Sequence, residues 1–218
     1  MVRPDRHRQQ LKVISANVRG LRTNIGDLTH NYVLRHKADI VVVTETWLNG
    51  EVEPSFGKIG GYTHWARRDR HERAGGGVAV CFREGVQAQQ LDVDTPAQLE
   101  VMFFRVVLAD HSALLLCAMY RPPRQGPASL LYLTEALDDL LVAHRCHHVL
   151  LVGDLNHHLE RDAYENLLTV QGLKDHVYFP THERGGTLDP VISDLQEDTL
   201  SCHQLGLVGS SDHHAVLT

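Results

Sequence analysis

The chain has no apolar run that approaches the length of a membrane span, so a soluble protein without a membrane partner is expected. Its opening residues, MVRPDRHRQQ, lack the apolar stretch of a secretory signal. No Pro-, Gly- or Ser-rich linker divides it, and it has neither internal repeats nor low-complexity segments. At 218 residues and 43% hydrophobic it is long enough for one domain with a sizeable core, expected over 12–218 behind a polar tail over 1–11. Cysteine is sparse. Cys81, Cys117, Cys146 and Cys202 form no CxxC pair, which argues against a structural zinc site. Cys81 and Cys117 lie within apolar runs, as small buried side chains do, and free thiols without an export signal point to a reducing, intracellular compartment. Positive charge is also scarce: a net charge of −6 argues against gripping nucleic acid by bulk electrostatics. The basic charge that exists is local. Arg67, Arg68, Arg70 and Arg73 crowd the segment before Gly75-Gly76-Gly77, and Arg3, Arg6, Arg8 and Lys12 cluster at the start. These are either a solvated loop and tail or a phosphate-gripping rim on an acidic body.

Apolar runs and their period give the outline. Lys12 to Ala16 alternates and stops at Asn17, which predicts a strand. Ile25, Leu28 and Tyr32 recur at helical spacing and predict a helix from about Asn24 to Lys37. Asp39 to Thr44 is a compact Ile/Val run and predicts a strand buried on both faces. Gly77 to Phe82, Leu99 to Val107, Ala113 to Met119 and His148 to Val152 are further strand predictions. Leu130, Leu133, Leu137 and Leu140 form a helical stripe for core packing, and Tyr164 to Val170 supplies a short helix. The tail from Thr187 onward reads as two or three strands, and Pro190, unable to donate to a ladder, places an edge strand there. Many strands with few helices imply an α/β protein in which sheet packs on sheet with helices outside.

Six short polar motifs punctuate this outline, most at or near the end of an apolar run. They are Asn17 in ANVRGL, Glu45 in VVVTETWL, Tyr120 in AMYRPP, Asp154 and Asn156 in LLVGDLN, Asp189 in GGTLDPVIS, and Ser211-Asp212-His213. Asp154 and Asn156 are two apart, so in an extended chain both project to one side. A carboxylate beside a carboxamide can take a proton while holding a phosphate oxygen. Glu45 ends a buried run and must be paired, hydrogen-bonded or metal-bound, and carboxylate oxygen is what Mg²⁺ prefers. Asp212 and His213 are sequence neighbours, which point to opposite faces of a strand, so His213 takes its acid partner from elsewhere, with Asp189 the candidate. Such a pair fixes the tautomer of a general base. Among 16 histidines, His147, His148 and His214 read as ordinary surface or core residues. A hydroxyl at Tyr120 can reach a phosphate oxygen.

In this order and spacing the motifs resemble the endonuclease/exonuclease/phosphatase superfamily, which includes deoxyribonuclease I, apurinic endonucleases, inositol-polyphosphate phosphatases and the endonuclease domains of non-LTR retrotransposons. The retrotransposon branch matches best: TETWL spans Thr44 to Leu48, RRDR Arg67 to Arg70, GGGVA Gly75 to Ala79, YRPP Tyr120 to Pro123 and GSSDH Gly209 to His213, and Pro180-Thr181 precedes Leu188-Asp189. The resemblance implies a four-layer α/β sandwich of deoxyribonuclease I type with its active site at one edge of the paired sheets. It implies a Mg²⁺ cofactor, or Mn²⁺, bound by Glu45 with Asn17 and Asp212 beside it. Asp154 and Asn156 would handle the attacking water and a phosphate oxygen, and His213, oriented by Asp189, would contact the phosphate or activate water. Tyr120 and Thr181 would contact the DNA backbone, with Arg67, Arg68, Arg70, Arg73 and Arg121 gripping phosphates. Repair enzymes of the superfamily carry an acidic residue two after the first Asn, where this chain has Arg19, so one possible metal carboxylate is missing. The chain stops five residues after His213, as in an excised domain, with no reverse transcriptase following.

The expected function is a Mg²⁺-dependent endonuclease, monomeric as an isolated domain, that nicks one strand of double-stranded DNA and leaves a 3′-hydroxyl. In a full-length relative that hydroxyl primes a C-terminal reverse transcriptase, in the nucleus when chromosomal DNA is the target. Two alternatives stand beside it: a phosphatase or phosphodiesterase of a small phosphoester, and an inactive DNA-binding remnant.

Overall fold

The computed structural model describes residues 10–218, so the basic cluster Arg3, Arg6 and Arg8 and most of the tail expected over 1–11 lie outside the described residues. In chain order, β1 (Val13–Asn17) leads into a helical segment made of α1 (Leu21–Asp27), a π-helical stretch (Leu28–Val33) and α2 (Leu34–His36). Then come β2 (Ile40–Thr44), β3 (Ala66–Arg68), β4 (Val78–Phe82), β5 (Ala88–Leu91), β6 (Glu100–Val107) and β7 (Ala113–Tyr120). The chain continues through α3 (Ala128–Ala143), β8 (His148–Asp154), α4 (Arg161–Gln171), β9 (Lys174–Asp175), β10 (Val191–Ser193), β11 (His203–Leu207) and β12 (His214–Leu217).

The strands form two six-stranded sheets, ordered β11-β12-β1-β2-β4-β3 and β5-β6-β7-β8-β10-β9. Alternation along each strand builds the layers. In β2, Ile40 and Val42 face the other sheet, while Val41 and Val43 pack under the first helical segment. In β7, Leu114, Leu116 and Ala118 face inward, and Leu115, Cys117 and Met119 pack against α3 and α4. A strand apolar at every position can therefore only be central, and each fully buried Leu contributes roughly 2 kcal/mol of transfer free energy. The result is helix, sheet, sheet, helix, the four-layer sandwich expected.

Each sheet holds one parallel pair joined by a helical crossover. β1 runs parallel to β2 from Val13↔Ile40 to Asn17↔Thr44, and β7 parallel to β8 from Leu114↔His148 to Tyr120↔Asp154. Parallel neighbours deliver their carboxyl ends to the same edge, where crevices form outside the strand ends. Asn17 and Glu45 thus emerge from one sheet beside Tyr120 and Asp154 from the other.

Four details differ from the sequence reading. The first helical segment begins at Leu21, and α4 starts at Arg161. Arg67 and Arg68 lie on β3, which pairs antiparallel with β4, and are not in a loop. β5 and β9 are short strands that the apolar pattern did not mark. Finally, β10 is no edge strand, because it pairs with both β8 and β9. Pro190 precedes its first residue, so the missing N–H costs no ladder bond.

Gly153 is what lets Asp154 reach the site. Its φ is +137°, and a Cβ there would overlap the carbonyl of Met119 on the adjacent strand. Gly153→Ala is therefore expected to lose about 2–4 kcal/mol of stability from backbone strain and overpacking, read as a lower urea midpoint. An unchanged midpoint would contradict this account of the β7–β8 contact.

Candidate active site

The two sheets meet at a carboxamide. Asn17, fully buried at the end of β1, donates from Nδ2 to Glu45 Oε2, and to Asp154 Oδ2 at 2.8 Å. Glu45 comes from the first sheet and Asp154 from the second. Asn17 Oδ1 accepts the backbone N–H of Arg19 (3.1 Å), which turns the chain into α1. Asn17, expected beside the metal, thus holds two acids together and spends its own oxygen on the turn. Glu45 is in the left-handed region (φ 52°), as are Arg19, Trp47 and Asn156. Backbone strain of this kind, in residues other than glycine, collects at functional sites.

The expected Asp–His pair is present. His213 Nδ1 lies 2.8 Å from Asp189 Oδ2, both side chains are buried, and Nε2 faces Asp154 Oδ2 at 3.9 Å and Asp212 Oδ1 at 3.8 Å. Ser211 Oγ donates to the Asn17 carbonyl (2.7 Å) and accepts the N–H of His213 (3.2 Å), tying the start of β12 to the end of β1. Burial disfavours charge on His213, but the bond to Asp189 and the fields of Asp189, Asp154 and Asp212 outweigh it and push its pKa up to about 9. Asp154 is driven up as well, far above the usual carboxylate range, by burial and then by Asp189, which favours its neutral form. The field of His213 and the Asn17 bond only partly offset this, and Glu45 adds to it. Tyr120, buried near Glu45 and Asp154, is raised by burial and by those acids and stays a phenol.

Asp212 has two donors of its own. Its carboxylate takes Arg19 Nη1 at 3.3 and 3.1 Å and His182 Nε2 at 3.1 Å. Burial alone would raise its pKa, but Arg19, His213 and His182 hold it below the usual value. Asp212, expected beside the metal, is here the acceptor of a guanidinium and an imidazole, although with His182 and His213 it also offers a ligand atom to a cation. His182 escaped sequence reasoning because it is one of 16 histidines; its only signal was its place directly after Pro180-Thr181.

Several expected DNA contacts turn inward. Arg121 is fully buried; its guanidinium donates to the carbonyls of Gly126 (3.1 Å), Leu155 (3.1 Å) and Asn156 (3.3 Å) and faces Glu160 at 3.7 Å. It shapes the loop carrying Asn156, whose Nδ2 returns a bond to the Arg121 carbonyl (2.8 Å), and it cannot reach a phosphate. Thr181 is buried as well, and its Oγ1 accepts the N–H groups of Leu188 (2.9 Å) and Asp189 (3.2 Å), so it positions Asp189 and is not a DNA contact. Arg67 clasps Asp69 and the carbonyls of Asn49, Val52 and Glu53, and Arg68 donates to Thr95 Oγ1 (2.8 Å) and the Val101 carbonyl (3.2 Å). Arg70 pairs with buried Glu100 (2.9 Å) and lies over the Tyr120 ring at 5.8 Å. Glu100 also accepts the Gly77 N–H (2.6 Å). A Cβ at Gly76 would overlap Glu100, so the glycine run is the room this buried acid needs. Of that arginine cluster only Arg73 stays exposed.

The donor set fits a hard divalent cation. Glu45, Asp154 and His213 offer ligand atoms that all lie within 4.8 Å of one another, two of them carboxylates from facing sheets. Asp154 is buried among acids with one neighbouring imidazole, so a cation is the charge that would let it ionise.

Two outcomes follow. In metal-free protein the His213 ring should titrate near 9 by NMR. In Asp189→Asn it should drop to or below the ordinary value of about 6.5, and an unmoved titration would sink the pairing. Arg121→Ala should cost roughly 3 kcal/mol because it leaves several buried carbonyls unpaired, read as a lower urea midpoint; an unchanged midpoint would contradict the buried role of its guanidinium.

The model of the endonuclease/exonuclease/phosphatase family matches residues 14–213. Among curated proteins no sequence match is found. Solved structures with the same fold include the endonuclease domain of TRAS1, a telomere-specific non-LTR retrotransposon, at TM-score 0.72 and 16% identity over 95% of this chain and 96% of that one. The AP endonuclease of Leishmania major matches at TM-score 0.71 and 18% identity, covering 95% and 86%. The 3′ phosphatase NExo of Neisseria, bound to a product DNA hairpin, matches at 0.71 and 18%, covering 95% and 98%. With the family match running from β1 to His213 and the polar ends of both parallel pairs meeting at one edge, this chain belongs to the endonuclease/exonuclease/phosphatase family of metal-dependent phosphodiesterases.

Proposed function

We propose that the chain is a Mg²⁺-dependent endonuclease, with Mn²⁺ able to substitute, that hydrolyses one phosphodiester of double-stranded DNA and leaves a 3′-hydroxyl. The observation that carries this reading is the convergence of Glu45, Asp154 and His213 at the joint between the sheets. Glu45 and Asp154 would hold the ion. Bound there, it would polarise a phosphoryl oxygen and stabilise the leaving 3′-alkoxide.

The chain's own residues divide the remaining work. His213 is kept charged by Asp189, so it donates a hydrogen bond from Nε2 to a phosphate oxygen and is the weaker candidate for general base. Asp154 takes the proton of the attacking water, its oxygens oriented by Asn17 Nδ2 (2.8 Å) and by the N–H of Asn156 (3.2 Å). The phenol of Tyr120 and the remaining amide hydrogen of Asn156 complete the phosphate contacts. Exposed Trp47 and Arg73 and half-exposed Arg19 form the rim over which a duplex backbone would run. Such contacts position DNA without reading its sequence. Likeness to the TRAS1 domain supports a retrotransposon setting, in which the nicked end primes a reverse transcriptase on chromosomal DNA in the nucleus.

With supercoiled plasmid and Mg²⁺, wild type should produce open circles and EDTA should stop it. Glu45→Gln and His213→Ala, folded by circular dichroism, should nick about 10²–10⁴-fold more slowly. Nicking that survives EDTA, or a folded wild type that never nicks, would overturn the reading.

A further inference from the structure

Two groups of side chains at this edge could each hold a cation, and they share His213: Glu45, Asp154 and His213 at the joint, and His182, Asp212 and His213 toward solvent. The second group already contains a cation. Arg19 Nη1 spans both oxygens of Asp212 at 3.3 and 3.1 Å. His182 holds the same carboxylate from the other side, and its tautomer is fixed. The Arg184 N–H donates to His182 Nδ1 (3.1 Å), so Nε2 carries the hydrogen that points at Asp212. The Asp212 backbone is held too, its carbonyl accepting the N–H of Glu183 (2.8 Å).

Arg19 is not a loose surface arginine that happens to find an acid. Its backbone is left-handed (φ 43°), its N–H is bound by Asn17 Oδ1 (3.1 Å), and the next residue, Gly20, donates to the Glu45 carbonyl (2.9 Å). The turn that places Asn17 between the two acids is therefore the same turn that aims the guanidinium at Asp212. The guanidinium carbon sits 6.0 Å over the Trp47 ring, with a side chain 44% exposed, so part of it still faces the side from which a substrate would arrive.

We propose that Arg19 is a built-in cation that occupies the outer half of the active site in place of a second metal ion, leaving one divalent-ion site among the described residues, at Glu45 and Asp154. A divalent ion on Asp212 would have to displace the guanidinium or sit within a few Å of it, where like charges repel. The inference rests on the metal-dependent reading given above and deepens it: the chemistry proceeds with one metal and one fixed guanidinium flanking the phosphate. Arg19 is then a positioning residue for Asp212 and an electrostatic partner for the substrate.

The test is a Mn²⁺ titration of the whole chain without DNA, followed by the electron paramagnetic resonance signal of free Mn²⁺. Wild type should bind one ion and Arg19→Lys one. Arg19→Asp, which opens Asp212 and adds a carboxylate, should bind two, and Asp212→Asn in the Arg19→Asp background should return to one. Glu45→Gln should lose the ion of the otherwise wild-type chain. Arg19 is half-exposed, so the variants are expected to fold, and thermal melts confirm it. Two ions in wild type, or one in Arg19→Asp, would overturn the inference while leaving the endonuclease reading intact. No ion in wild type would remove the metal site itself, and both readings with it.

Discussion

Asn17 stands at the end of β1 with its amide nitrogen between two carboxylates that arrive from different sheets, Glu45 beside it and Asp154 across the interface at 2.8 Å. Much of the site hangs on this junction. The Asn17 side-chain oxygen holds the Arg19 turn, and its carbonyl accepts the hydroxyl of Ser211, which in turn holds the N–H of His213. One buried residue therefore sets the separation of the two acids, the direction of Arg19 and the seat of the imidazole. The apolar layer between the sheets brings these groups within reach, and Asn17 fixes the register with which they meet.

Such a junction is costly in isolation. A buried carboxylate among other carboxylates resists ionisation, and Asp154 shows it. The protein contains the problem by giving each acid its own cationic or hydrogen-bonding partner: Asp189 has His213, Asp212 has Arg19 and His182, and Glu100 has Arg70 and the Gly77 N–H. Glu45 and Asp154 have no cation in direct contact: they share the Asn17 amide, Asp154 also accepts the Asn156 N–H, Glu45 the indole N–H of Trp47, and the imidazole stands 3.9 Å from Asp154. That pair is where the proposed reading places the divalent ion. The same logic separates arginines that build the site from those that could meet a substrate.

Much of this was legible in the sequence because strand ends are legible. Compact β-branched runs such as Ile40 to Thr44 can only be central strands, so the polar residues closing them had to fall at a sheet edge. Strand alternation made the neighbours Asp212 and His213 poor partners and left Asp189 as the candidate, and Asp189 holds Nδ1 at 2.8 Å while Asp212 stays 3.8 Å from Nε2. Other roles were hidden because they depend on partners distant in sequence. Arg67, Arg68 and Arg121 looked like phosphate-gripping charge, yet each donates to backbone carbonyls that only the folded chain presents. Thr181 looked like a phosphate contact and proves to cap the turn that carries Asp189. Pro190 suggested an edge strand, but it stands one residue outside the ladder of β10, which is paired on both sides. His182 carried little local pattern beyond its place after Pro180-Thr181, because its meaning comes from Asp212, thirty residues away.

The central claim is that the metal site is the joint between the sheets. Anomalous diffraction from a crystal of the whole chain grown with Mn²⁺ tests it most directly. The account predicts a single strong peak in contact with both Glu45 and Asp154, with Arg19 still on Asp212. A peak bound to Asp212 and His182 with the guanidinium displaced, or no peak between Glu45 and Asp154, would contradict it.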